Sequence, residues 1–174
     1  MVNCGKRKLL LLIKLSHSHI MSHLTGEFNC KLDAKGRMMI PAGLKIQLPE
    51  AEKEGLMINR GLEKYLAIYT KSEWDKRLDE LSKLNEFDRQ NNRFVRYFMG
   101  GATPLIPDST GRVLLPKSLL DFAGIGTDVV LTCMLNKIEV WDKAAHTEMI
   151  NNEPDNFAEL AEAVMGNKIR RIDE

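Results

Sequence analysis

The nonapeptide DAKGRMMIP, Asp33 to Pro41, recurs as DSTGRVLLP at Asp108 to Pro116. Asp33 and Asp108, Gly36 and Gly111, Arg37 and Arg112, and Pro41 and Pro116 are each 75 residues apart. A second echo, LAIYTKSEW (Leu66 to Trp74) and IEVWDKAAH (Ile138 to His146), lies at a spacing of 72, which needs only a three-residue deletion between the motifs. Self-similarity at a nearly fixed spacing constrains the fold more than composition does, because it says that one supersecondary unit is built twice.

Within each unit the pattern is β-rich. EFNCKLD (Glu27 to Asp33) alternates polar and apolar residues and predicts a strand, ended by the turn chemistry of DAKG, with RMMI returning as the next strand. Pro41 pre-sets φ for a first helical turn, AGLKIQL makes one or two turns, and PEAEKEG reads as an acidic loop. LMINR and YLAIY flank GLEK and predict a hairpin with a four-residue loop. The second unit repeats the plan: RVLLP leads into KSLLDFAG, with Gly124 as the helix C′ residue, and VVLTC and KIEVW flank another short turn.

Helices join and follow the units. Ser72 and Asp75 suggest a capping box ahead of Trp74, Leu78 and Leu81 on one helical face. A second helix is expected from Asn85 to Phe98, burying Phe87, Phe94, Val95 and Phe98 and carrying Arg89, Arg93 and Arg96 as a basic stripe, paired with Glu86 and Asp88 rather than with phosphate. Asn156 with Glu159 predicts a last helix with Phe157, Leu160, Ala161, Val164 and Met165 as its apolar stripe, stopped by Gly166 and followed by a frayed tail.

Composition narrows the function. The chain has 174 residues, 44% hydrophobic and 28% charged, as in an ordinary globular protein of one domain or two small ones. Four of the 25 Lys and Arg fall in residues 1–20, which hold no acid, so the remainder carries 21 bases against 24 acids, net −3. Any nucleic-acid reading therefore rests on local basic patches. The basic start and the run Leu9 to Ile13 imitate a secretory signal, but Lys14 cuts the run short of a membrane span. Residues 1–25 are expected to be a disordered extension, with Met21 as an alternative start, and His17, His19 and His23 to lie in a polar tail rather than a metal site. Cys4, Cys30 and Cys133 form no CxxC, so neither a disulfide framework nor a metal site is expected, nor any cofactor.

The repeated turn carries the chemistry. Gly36 and Gly111 permit a positive φ, and Asp33 and Asp108 can accept hydrogen bonds from turn amides. Arg37 and Arg112 each present five donors that suit either a neighbouring carboxylate or a DNA phosphate or base edge, and the two uses weigh evenly on chemistry alone. The first copy is the more basic in sequence, with Lys31, Lys35 and Arg37 close together; in the second, Lys117 follows Arg112.

DAKGRMMIP and DSTGRVLLP, on a duplicated unit of strand, turn, strand, short helix and hairpin, resemble the paired SpoVT-AbrB domains of the MraZ family from about Gly26 to Ile150. The resemblance implies an α+β, β-rich fold in which two tandem SpoVT-AbrB-like units form a pseudo-symmetric swapped-hairpin β-barrel with added helices. The units are 26–74 and 101–147, with linking helices in 75–100 and a C-terminal helix and tail in 148–174. It also implies a cytoplasmic, nucleoid-associated transcriptional regulator. Such a protein binds repeated promoter elements of a division and cell-wall gene cluster in double-stranded DNA, works as a ring-like homo-oligomer, and does not engage a membrane. In the family, the D-x-x-x-R motifs are associated with DNA recognition, which points to Asp33, Arg37, Asp108 and Arg112. Lys31, Lys35 and Lys117 join them from local charge. Gly36, Pro41, Gly111 and Pro116 shape the turns.

An enzyme is the poorest alternative, since the sequence has no phosphate-cradling Gly-rich loop, HExxH or nucleophile elbow. An AbrB-like antitoxin or a protein-binding scaffold ring is the stronger competitor. An antitoxin, however, usually carries one such unit and a disordered toxin-wrapping tail, whereas here the second unit is complete and the tail short, which favours the regulator.

Overall fold

The computed structural model describes residues 23–152 and 156–166. The expectations for residues 1–22 and for the tail beyond Gly166 lie outside the described residues. Leu24 is buried and bridges Leu135, so the folded body already includes residues ahead of Gly26.

The first unit contains β1 (Glu27–Lys31), β2 (Arg37–Met39), α1 (Ala42–Lys45), α2 (Ala51–Glu54), β3 (Leu56–Arg60) and β4 (Leu66–Thr70). Helices α3 (Lys71–Ser82) and α4 (Arg89–Met99) follow, then β5 (Thr103–Leu105), β6 (Arg112–Leu114), α5 (Lys117–Ala123), β7 (Asp128–Met134) and β8 (Lys137–Asp142). The described chain ends with α6 (Lys143–Asn151) and α7 (Phe157–Ala161), which runs into a π-helical turn, Glu162–Gly166.

The fold is α+β, and its strands exchange between the repeats. Six strands form one sheet in the order β1-β7-β8-β4-β3-β5, so the first strand of each unit lies against the hairpin of the other. β2 and β6 form a separate antiparallel ribbon with Arg37 opposite Leu114, Met38 opposite Val113 and Met39 opposite Arg112. The local hairpin expected of EFNCKLD and RMMI is thus reduced to a corner held by the single bridge Leu32–Met38, because the ladder partners of both strands lie in the second unit. Among the described residues the sheets are an open six-stranded sheet and a ribbon, not the closed barrel expected.

Alternation sorts side chains to two faces of the large sheet. One face contributes Ile58, Leu66, Ile138 and Val140 to the main core, where they meet Met38 and Val113 from the ribbon and Leu44 and Leu119 from α1 and α5. The other face sets Tyr65, Tyr69 and Trp141 beneath Trp74 of α3, with Phe98 of α4 stacked on Trp74 at 5.6 Å between ring centres. The ribbon is therefore a lid on the main core, and α3 and α4 cover the opposite side of the sheet.

Several local expectations change. PEAEKEG contains the short helix α2 rather than only a loop. α3 is capped by Thr70, whose hydroxyl accepts from Glu73 N at 3.3 Å, and not by Ser72. α4 starts at Arg89 because the Asp88 side chain accepts from Gln90 N and Asn91 N. Phe87, which precedes the helix, and Phe94 within it are exposed, at 85% and 46%, instead of buried. Asp88 is engaged by that cap, and no ion pair to Glu86 or Asp88 forms from Arg89, Arg93 or Arg96 among the described residues. Gly124 ends α5 in the left-handed region at φ 65°, and Ile125 N donates to Leu120 O at 3.0 Å, completing a Schellman closure.

Candidate nucleic-acid interface

Each repeated turn is built by its aspartate. Asp33 Oδ1 accepts from the amides of Lys35 and Arg37, both at 2.9 Å, while Gly36 N donates to Asp33 O and Asp33 N to Arg37 O, each at 2.9 Å. The second turn repeats this with Asp108 Oδ1 accepting from Thr110 N at 2.9 Å and Arg112 N at 3.0 Å, and additionally from the Thr110 hydroxyl at 2.6 Å. Gly36 and Gly111 sit at φ 77° and 78°, where a Cβ is strained.

These glycines also join the two units. Gly36 O accepts from Leu115 N at 3.0 Å, and Gly111 O accepts from Ile40 N at 3.3 Å, so each turn is closed by backbone from the other repeat. Pro41 and Pro116 hold extended-side entries to α1 and α5, with φ of −57° and −60°.

Both arginines lean on their own aspartate. Arg37 Nε and Nη2 each lie 2.7 Å from Asp33 Oδ2, and Arg112 Nε lies 3.2 Å from Asp108 Oδ2. The pairs are about one-third exposed, at 31% and 33% for the first and 34% and 38% for the second, so solvent screens them and they orient more than they stabilise. The Arg37 amide, then its guanidinium, lowers the Asp33 carboxyl to about 2. The Thr110 hydroxyl and the Arg112 amide hold the Asp108 carboxyl well below the ordinary carboxylate range. At neutral pH each guanidinium is thus anchored along one edge by an ionised partner and, among the described residues, makes no side-chain bond beyond that pair, leaving further N–H donors.

Alternation in the ribbon decides what faces outward. Met38 and Val113 are 1% exposed and point into the core, so Arg37, Met39, Arg112 and Leu114 share the opposite face. The basic residues redistribute from their sequence order. Lys31 pairs across the β1–β7 ladder with Asp128 at 3.4 Å. Lys35 makes no side-chain pair among the described residues and lines a groove with Gly36, Leu114 and Lys117. Lys117, which follows the second motif in sequence, therefore stands at the first turn, where it pairs with Asp121 at 2.9 Å.

Sequence reasoning missed Lys45. A Cβ added at Gly111 would come within 2.8 Å of Lys45 Nζ, so the α1 lysine lies over the second turn. The corresponding position in the second unit is Leu120, and it is Leu120 that meets Gly36. The 75-residue spacing of the motifs carries this relation, but only the strand exchange shows which turn each side chain reaches.

No group of three or more His, Cys, Asp or Glu residues is placed to hold a metal ion among the described residues. Among them, too, no helix is long and apolar enough to cross a membrane.

The class defined by this arrangement is a duplicated α+β protein whose two strand-exchanged units display a pair of Asp–Arg turns on one ribbon. Residues 23–97 and 98–167 each match the MraZ protein family model, whose description includes the word "antitoxin-like". The chain is similar to proteins named Transcriptional regulator MraZ. It is 40% identical to that of Christiangramia forsetii over 148 residues, covering 84% of this chain and 96% of the relative. The values for the Flavobacterium psychrophilum relative are 41% over 148 residues, 84% and 94%. The Pediococcus pentosaceus relative is 35% identical over 137 residues, covering 79% and 93%. The chain belongs to the MraZ family.

Proposed function

We propose that this protein is a sequence-specific DNA-binding transcriptional regulator that recognises repeated promoter elements of a division and cell-wall gene cluster. The observation that carries the reading is the presentation of Arg37 and Arg112 on the same face of the β2–β6 ribbon, each oriented by an ionised aspartate and accompanied by a lysine from the other repeat. A two-stranded ribbon fits the major groove of B-DNA, about 12 Å wide. There the arginines meet base edges while Lys35, Lys117 and Lys45 reach phosphates, with Lys31 at the margin. The names of the relatives support the regulatory role. In this reading the exchange of first strands between the units serves to bring the two turns together on one ribbon, and the protein acts in the cytoplasm on the nucleoid.

A chain whose body is net negative binds a single element weakly through so few cations. We therefore take the working form to be a ring-like homo-oligomer, in which several ribbons meet several repeats and gain by effective concentration. The exposed Phe87, Phe94 and Tyr97 of the α4 region supply apolar surface for the protein–protein interfaces of such a ring. Mobility-shift titrations on duplexes carrying one repeat or several, from the DNA upstream of the protein's own coding region, test the proposal. Strong, salt-sensitive binding is expected only with several repeats, and equal affinity for both would remove the ring. The same exposed α4 surface and its arginines, which form no ion pair among the described residues, favour a second reading, a protein-binding scaffold, which genomic footprinting without protected repeats would support.

A further inference from the structure

Met39 and Leu114 stand at the two ends of the ribbon's outward face, and both are exposed, at 51% and 57%, although the inward residues of the same strands are fully buried. They occupy equivalent positions of the two repeats. An apolar side chain left in water at both equivalent sites has no role in the core beneath. The ladder sets each against an arginine of the other strand, Leu114 opposite Arg37 and Met39 opposite Arg112, at the separation of directly facing side chains, about 5 Å between Cβ atoms. Each end of the outward face thus offers one planar donor and one apolar surface, side by side and drawn from different repeats. We propose that Leu114 and Met39 are specificity-determining residues that pack against the C5 methyl groups of thymines in the major groove.

The inference rests on the DNA-binding reading above. In the major groove, an arginine satisfies the paired acceptors of guanine, whereas Leu has no hydrogen-bonding atom and Met only a weakly accepting thioether, so either would leave a covered amine or carbonyl poorly satisfied. The apolar feature that the groove offers is the thymine methyl. A second copy is a poor occupant for this face, because ribbon against ribbon would confront the arginines of one protomer with those of the other. DNA brings the opposite charge, and Lys35 and Lys117 flank the first end while Lys45 lies at the second.

The test uses the full chain and the duplex immediately upstream of its own coding region, prepared with thymine or with deoxyuridine, which lacks only the methyl. The wild-type protein is expected to bind the deoxyuridine duplex more weakly, by about fourfold for each thymine methyl that these side chains cover. The double variant M39A/L114A should bind both duplexes equally, whereas Arg37→Ala should weaken both and keep the ratio between them. Wild-type protein that binds both duplexes equally overturns this inference and leaves the regulator reading intact; failure to bind either overturns both. A double variant that keeps the wild-type ratio overturns the assignment to these side chains. So does one whose sedimentation shows a smaller assembly than wild type, since the pair would then belong to a protein interface.

Discussion

At the scale of single residues, Asp33 and Asp108 each serve three ends: they cap turn amides, ionise at low pH, and aim an arginine. Because the folded Asp33 carboxyl is lowered from 3.8 to about 2, its contribution to stability is complete above about pH 4 and is lost as the pH falls towards 2. Asp108 is held lower still, so its loss extends further into acid. Thermal melts between pH 5 and 2 should show the wild-type midpoint falling more steeply than that of Asp33→Asn; parallel curves would mean that the turn does not depress this carboxyl. The two arginines are not expected to count equally, since the first turn carries Lys35 and Lys117 beside Arg37 while the second has Lys45 beside Arg112. Arg37→Ala should lose about 10- to 100-fold in affinity for the promoter duplex, the range of a good base interaction, and Arg112→Ala less. The reverse order, with both variants folded, would show the second turn to be the principal reader.

Elements are legible in the sequence where their signals are local. The Asp-Gly turns, the strands of the β3–β4 and β7–β8 hairpins, Gly124 as a helix end and Asn156 as a helix start all depend on residues within a few positions of one another, and the structure agrees at each. Expectation and structure part where local signals compete. Thr70 and Ser72 both offer a hydroxyl at the start of α3, and the end of β4 leaves Thr70 extended, at ψ 158°, as a cap residue must be. Thr70→Ala should therefore cost about 1 kcal/mol in denaturant unfolding, a typical cap loss. Ser72→Ala should stay within about 0.5 kcal/mol, as for an ordinary surface change. Equal losses would return the cap to Ser72. The apolar periodicity of α4 and α7 gives the pattern but not the burial: Phe94, Phe157 and Leu160 are 46%, 63% and 48% exposed in the single chain. Periodicity states that a face is apolar; it does not state what covers it.

For the whole molecule, the exchange of strands is the governing fact. β1 finds its partner in β7, β2 in β6 and β3 one of its partners in β5, so neither repeat can complete its own sheet. A fragment comprising residues 23–97 should consequently fail to unfold as a cooperative monomer in circular dichroism melts and should self-associate in sedimentation experiments. A monomeric, cooperatively folded fragment would show that the exchange is dispensable.

The sequence by itself determined the duplication, the α+β character and the two Asp–Gly–Arg turns, because the bonds that make each turn span only five residues. Only the tertiary structure decided what stands beside those turns. Lys117 comes to the first and Lys45 to the second, and Leu114 and Met39 face arginines of the opposite repeat. The physical reason is that a ladder partner is chosen by burial across the whole sheet. Pairing Met38 with Val113 places both in the one core that the two repeats share.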